Sequence, residues 1–100
     1  MFSTNIIVPE SQFKCSGTPK QYSRLGDSGG NVTSNFCPEC GILIFTTADA
    51  LPGLKIIKAG TLDNLEANNE IKPHHELYTK NRYRWVPELQ DLKQFVGSDI

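Results

Sequence analysis

Cys37 and Cys40 stand two residues apart in Phe36-Cys37-Pro38-Glu39-Cys40-Gly41. Two thiolates at this spacing can face one Zn²⁺ at about 2.3 Å if the backbone between them turns sharply. Pro38 fixes φ for such a turn, and Gly41 permits a tight exit from it. The same spacing serves thiol redox chemistry where it opens a helix, because the helix dipole lowers the thiol pKa. Here Ile42-Leu43-Ile44-Phe45 follows, a strand-forming run, which favours metal over redox chemistry. A structural zinc takes four ligands, and this pair supplies two.

The remaining candidates are less pointed. Cys15 lies alone in a strand-like segment, where a small buried apolar residue is the plainer reading than a ligand. His74 and His75 are adjacent, so on a strand they point to opposite faces and one at most could join a given site; a surface histidine is the plainer reading. A water, a second chain or a residue outside this sequence could complete the metal shell. Asp63 reads as a turn residue capping neighbouring amides before it reads as catalytic. Ser28 has no nucleophile-elbow pattern around it, which argues against a serine hydrolase. Arg82, Arg84 and Trp85 could grip an anion and a ring, but core plus solvated edge is the simpler assignment. No catalytic residue is assigned.

The elements that must position these groups are short strands. Val, Ile, Phe and Thr dominate runs broken by Gly, Pro, Asn, Asp and Ser, the punctuation of an antiparallel β protein. Strands are expected at Asn5 to Val8, Phe13 to Ser16, Gln21 to Arg24, Asn31 to Phe36, Ile42 to Thr46, Leu54 to Ala59 and His74 to Thr79. Gly26-Asp27-Ser28-Gly29-Gly30 predicts a hairpin tip and Leu51-Pro52-Gly53 a second turn. Asn64 to Glu70 has room for one helical turn. After Pro87, the spacing of Leu89, Leu92, Phe95 and Val96 predicts a short amphipathic turn packed on the sheet.

The chain has 100 residues, enough for one domain. Its ten basic and eleven acidic residues leave a formal charge of −1, which gives no footing for nucleic acid or acidic lipid. No apolar run approaches the roughly 20 residues of a membrane span, and residues 1–5 lack a secretory pattern. An odd cysteine count with a C-x-x-C pair points to a reduced compartment, the cytoplasm, over a disulfide scaffold. A chain this small buries little apolar surface, so a metal staple would help it fold.

Five pieces, in order and spacing, resemble one family: Gly17-Thr18-Pro19-Lys20, Asp27-Ser28-Gly29, Phe36-Cys37-Pro38-Glu39-Cys40-Gly41, Ala59-Gly60-Thr61-Leu62-Asp63, and His75 with Trp85 ten residues on. The chain is similar to the glutathione-dependent formaldehyde-activating enzymes, also called the centromere-protein-V-like domain, from Phe2 to about Val86. The resemblance implies a mainly β fold, a β-tent of short antiparallel strands with a zinc-knuckle hairpin. Residues 1–86 would form a partial domain of that kind, and residues 87–100 a C-terminal tail on the sheet. It implies a carbon–sulfur lyase that joins formaldehyde to glutathione, with zinc as cofactor and a small-molecule thiol as partner.

In the family, a structural zinc takes two cysteines from an N-terminal C-x-C and two from the later C-x-x-C, which Cys37 and Cys40 match. A catalytic zinc takes three from a C-x-C-x-x-C between those motifs. Neither upstream motif stands in this sequence. The segment from Phe2 to Pro9 resembles the strand after the catalytic cysteines, so the expectation is a family domain that begins just past them, a truncated product or part of a longer enzyme. It would lack the catalytic zinc site and expose a sheet edge open to self-association. The alternatives are a non-enzymatic zinc-binding β module that pairs with another chain, and a thiol redox protein.

Overall fold

A computed structural model of the chain describes residues 3–64 and 66–98. Phe2, Leu65 and the end of the tail therefore fall outside the described residues. The chain is mainly β. Strands β1 (Asn5–Pro9), β2 (Lys20–Leu25), β3 (Asn31–Phe36), β4 (Leu43–Ala48) and β5 (Leu54–Lys58) form one antiparallel sheet in the order β1-β5-β4-β3-β2. A four-residue helix, α1 (Ala67–Glu70), follows, and two-residue strands β6 (His75–Glu76) and β7 (Lys93–Gln94) pair in parallel. Among the described residues no helix is long and apolar enough to cross a membrane.

Glycine makes the β2–β3 hairpin possible. The Gly26 amide donates to the Gly30 carbonyl at 2.8 Å, and Gly29 sits at φ 89°, a region that a Cβ disfavours. Two turns of the sheet meet here, because the Asn31 amide donates to the Asp49 carboxylate at 2.9 Å. The second predicted turn closes with Gly53 at φ 75°, and its carbonyl accepts from the Glu10 amide.

The core is small. Val32, Phe45, Ala48, Ile56 and Ala59 are its buried apolar residues, contributed by β3, β4, β5 and the turn after β5. Asn35, 2% exposed, is buried among them, with its side-chain oxygen accepting from Gln21 at 2.9 Å. That bond offsets the cost of burying an amide. The radius of gyration, 14.4 Å, exceeds the roughly 13 Å typical of 100 residues. Several large apolar side chains are also left at the surface, among them Trp85, Val96, Tyr83 and Leu89.

Several expectations need correction. Phe13 to Ser16 is not a strand: a 3-10 turn at Glu10–Gln12 precedes it, and Phe13 leaves the sheet plane to stack its ring 4.8 Å from Phe45. The strand expected over His74 to Thr79 shrinks to two residues because Tyr78 adopts a left-handed φ of 54°. The amphipathic turn after Pro87 does not form. Asp91 takes a left-handed φ of 64° inside it, and the chain continues as β7. Trp85 is 68% exposed, not core, and leans on Tyr83 at 5.9 Å. β2 is an edge strand, exposed along all six residues, and β1 is the other edge.

Candidate functional site

The Cys37–Cys40 segment is the connection between β3 and β4. Its hairpin is closed by the Cys37 amide donating to the Ile42 carbonyl at 2.9 Å and the Gly41 amide to the Cys37 carbonyl at 2.8 Å. Gly41 has φ 78°, the left-handed exit that returns the chain to β4 and lets the Cys37 amide reach the Ile42 carbonyl. The segment is a turn that leads into a strand, so no helix dipole acts on either thiol.

The Cys37 thiol is held below its usual value, first by the backbone N–H of Cys40, then by that of Glu39, and third by a hydrogen bond with the Cys40 thiol. Desolvation and the Glu39 carboxylate oppose this. Amide donors aimed at a sulfur stabilise its anion, the form that binds metal. Cys37 is half-buried and Cys40 exposed, so the pair faces out from the sheet. Beside it lies a hollow of about 280 Å³, walled by Cys37, Pro38 and Glu39 on one side and the Ser16–Pro19 loop on the other.

The donor set suits a soft, tetrahedral ion such as Zn²⁺, and half of one is present. Among the described residues no group of three or more His, Cys, Asp or Glu side chains is gathered to hold a metal. Cys15 is exposed, contrary to the expectation of burial, and its sulfur reaches the adjacent Ser16 carbonyl at 3.7 Å. His75 packs edge-on against Phe95 at 5.5 Å, and the His74 ring lies 6.5 Å from it. Neither histidine joins the cysteine pair.

The second feature is a cleft of about 520 Å³ at the far end of β5, lined by Ser3, Thr4, Lys58, Ala59, Gly60 and Asn68, among others. Ala59–Thr61 forms a 3-10 turn, fixed where the Thr61 hydroxyl donates to the Lys58 carbonyl at 2.7 Å and Asn68 donates to the Ala59 carbonyl at 3.3 Å. Lys58 donates to the Ser3 hydroxyl at 3.3 Å and is the one charged residue of the lining among the described residues. Sequence reading missed this cleft, because its walls come from the first strand, the end of the fifth and α1. The Ala59-Gly60-Thr61-Leu62-Asp63 motif was the signal for it.

The other sequence candidates take structural places. Ser28 accepts the Gly30 amide at 3.3 Å within the hairpin tip. Asn64, beside Asp63, accepts the Glu66 amide at 3.2 Å ahead of α1. Arg82 binds Glu76 at 2.9 Å and Gln94 at 2.6 Å, tying β6 to β7, so it is engaged within the chain.

No curated protein and no solved structure matches the chain at a significant level. A family model described as glutathione-dependent formaldehyde-activating enzyme matches residues 1–81, four-fifths of the sequence. With the Cys37–Cys40 turn, the hairpin tip and the Ala59–Thr61 turn all inside that span, the chain belongs to the glutathione-dependent formaldehyde-activating enzyme family.

Proposed function

We propose that this chain is the zinc-binding β scaffold of a carbon–sulfur lyase of that family, with Cys37 and Cys40 supplying half of a tetrahedral zinc site. The observation that carries the reading is the closed β3–β4 turn that holds Cys37 and Cys40 two residues apart, matching the family's later C-x-x-C. Zinc bound there would fasten the β3–β4 hairpin, the zinc knuckle of a β-tent. The three free thiols suit a reducing compartment, the cytoplasm.

The reaction of the family adds the glutathione S–H across the formaldehyde carbonyl. A carbon–sulfur bond forms, the carbonyl π bond opens, and the thiol proton ends on oxygen, with no net redox change. This chain's own contribution is binding. Lys58, at the mouth of the Ala59–Gly60 cleft, would hold a carboxylate of the thiol substrate, and Asn68 would keep the cleft wall in place. The thiolates of the catalytic zinc are not among the residues of this sequence, so the 100-residue chain is expected to be inactive alone.

The test follows adduct formation by NMR with zinc, formaldehyde and glutathione. The chain as it stands should not accelerate the uncatalysed rate, and a version carrying the two upstream cysteine motifs should. No turnover in the extended version would remove the lyase reading. It would favour the second one, a non-enzymatic zinc module, which is supported by the isolation of the two sulfurs from any third donor among the described residues.

A further inference from the structure

Residues 74–97 form a unit tied to itself. β6 and β7 pair with each other and with no strand of the five-stranded sheet. The Thr79 amide and hydroxyl both donate to the Phe95 carbonyl, at 3.0 and 3.1 Å, and the Phe95 amide donates to the Glu76 carbonyl at 2.9 Å. Arg82, Glu76 and Gln94 close a ring of side-chain bonds across the ladder. Just upstream, Ile71, Lys72 and Pro73 are exposed and carry no regular structure, which makes them a hinge.

Tyr78 is where this unit meets the sheet. Among the described residues, its phenol makes the hydrogen bond that crosses between the two, donating to the Asp27 carboxylate in the β2–β3 tip at 2.6 Å. Ser98 meets the same phenol, and the Arg24 guanidinium stands near enough to act on it. The Tyr78 backbone is left-handed, with φ 54° and ψ 41°. A bulky L-residue holds that conformation only where its surroundings fix it. The strained residue and the residue bonded across the joint are therefore the same one.

From these observations we infer that residues 74–97 are a strap that opens separately from the sheet, with the Tyr78–Asp27 bond as its latch. Backbone strain works against the closed form, and the bond works for it. Both latch residues are exposed, so water competes for each group and the bond contributes modestly. A strap held this way opens under native conditions while the sheet stays folded. Once released, a piece this short does not keep its own fold, so its internal hydrogen bonds are lost together.

The experiment is native-state hydrogen exchange of the full chain, read by NMR across a series of low urea concentrations. The Thr79, Lys93 and Phe95 amides are all bonded inside the strap. They should exchange through one shared opening, more populated than the opening that exposes the β3–β4 ladder. That opening should also depend less on urea, because it uncovers less surface. Tyr78→Phe removes the donor and keeps the ring, and Asp27→Ala removes the acceptor. Each should raise the strap's opening roughly 2- to 12-fold, and the double variant should raise it no further than either alone. Strap amides that share the opening frequency and urea dependence of the β3–β4 ladder overturn the separate strap. Single variants without effect, or effects that multiply in the double variant, overturn the latch. Where Asp27→Ala disturbs the hairpin tip, the wild-type urea series and Tyr78→Phe still decide both points.

Discussion

Gly41 provides the left-handed exit that closes the Cys37–Cys40 turn onto β4, and Gly41→Ala measures how far a metal held by that turn depends on the closure. A Cβ built at Gly41 meets nothing within 4 Å, so the substitution introduces no clash. What remains is the backbone: at φ +78° an L-residue is disfavoured by about 1–2 kcal/mol. Gly53→Ala is the control, because Gly53 has φ +75° and equally open surroundings, yet lies in the turn before β5.

Both variants should therefore lose about 1–2 kcal/mol in urea unfolding of the zinc-loaded protein. They should part company in metal affinity. Without zinc, the exposed Cys37–Cys40 turn can relax away from the costly φ, so part of the penalty reappears on binding. Affinity should fall by about 5- to 30-fold if the whole 1–2 kcal/mol reappears, and by less if part of it does. Gly53→Ala should leave it unchanged. Competition against a chromophoric chelator reads the difference. If Gly41→Ala retains the zinc-loaded stability of the wild type, the left-handed exit is not what closes the cysteine turn.

Three other outcomes are expected. Cys37 should be alkylated at a pH below the usual thiol range, because amide donors from Cys40 and Glu39 stabilise its anion; quantifying the modified peptide across pH 6 to 10 checks it, and labelling only at the ordinary thiol pH counts against the donor geometry. The Tyr78 phenol donates to the Asp27 carboxylate at 2.6 Å, which raises its pKa above the usual value near 10. The contribution of that neutral phenol is complete below about pH 10 and is lost as pH climbs through the folded value, so the stability gap to Tyr78→Phe should be constant at neutral pH and narrow in alkali. Phe45→Ala removes the ring between Phe13 at 4.8 Å and the Lys55 ammonium at 4.9 Å, and should cost about 3–5 kcal/mol in urea unfolding, much of the margin of a small domain.

The sheet was legible in the sequence wherever local signals agreed. Asn31 to Phe36 combines strand formers with a glycine-rich turn before it and a Cys-Pro turn after it, and the structure returns the same bounds. Phe13 to Ser16 has similar composition but no partner strand; its one large ring is drawn to Phe45, a contact 32 positions away that no local pattern reveals. After Pro87 the apolar residues keep a helical spacing, yet no helix forms there. Leu89, Phe95 and Val96 remain exposed, so no packing rewards the helix, and Asp91 breaks it. The cysteine turn was visible because its chemistry is local. The Lys58 cleft was not, since Ser3 and Lys58 meet only through the pairing of β1 with β5.

That pairing pattern also determines how far a metal at the turn should be felt. β3 and β4 pair Asn35 with Phe45 and then Phe36 with Leu43, a register slip of one residue immediately before the cysteines. The slip leaves Ile44 without a partner of its own and sharpens the twist where the strands enter the turn. Asn35 and Phe45, two of the most buried side chains, thus lie directly across from each other just below it. A zinc ion that fixes Cys37 and Cys40 would also fix the slip, and with it the placement of the Asn35 amide toward Gln21 and of the Phe45 ring toward Phe13. In a sheet with four buried apolar residues among those described, little other packing restrains that end of the hairpin. Metal removal should therefore loosen the core near Phe45 before the β1–β5 edge, and hydrogen exchange at the Phe45 and Asn35 amides should respond to chelator ahead of exchange at Ile7 and Ile56.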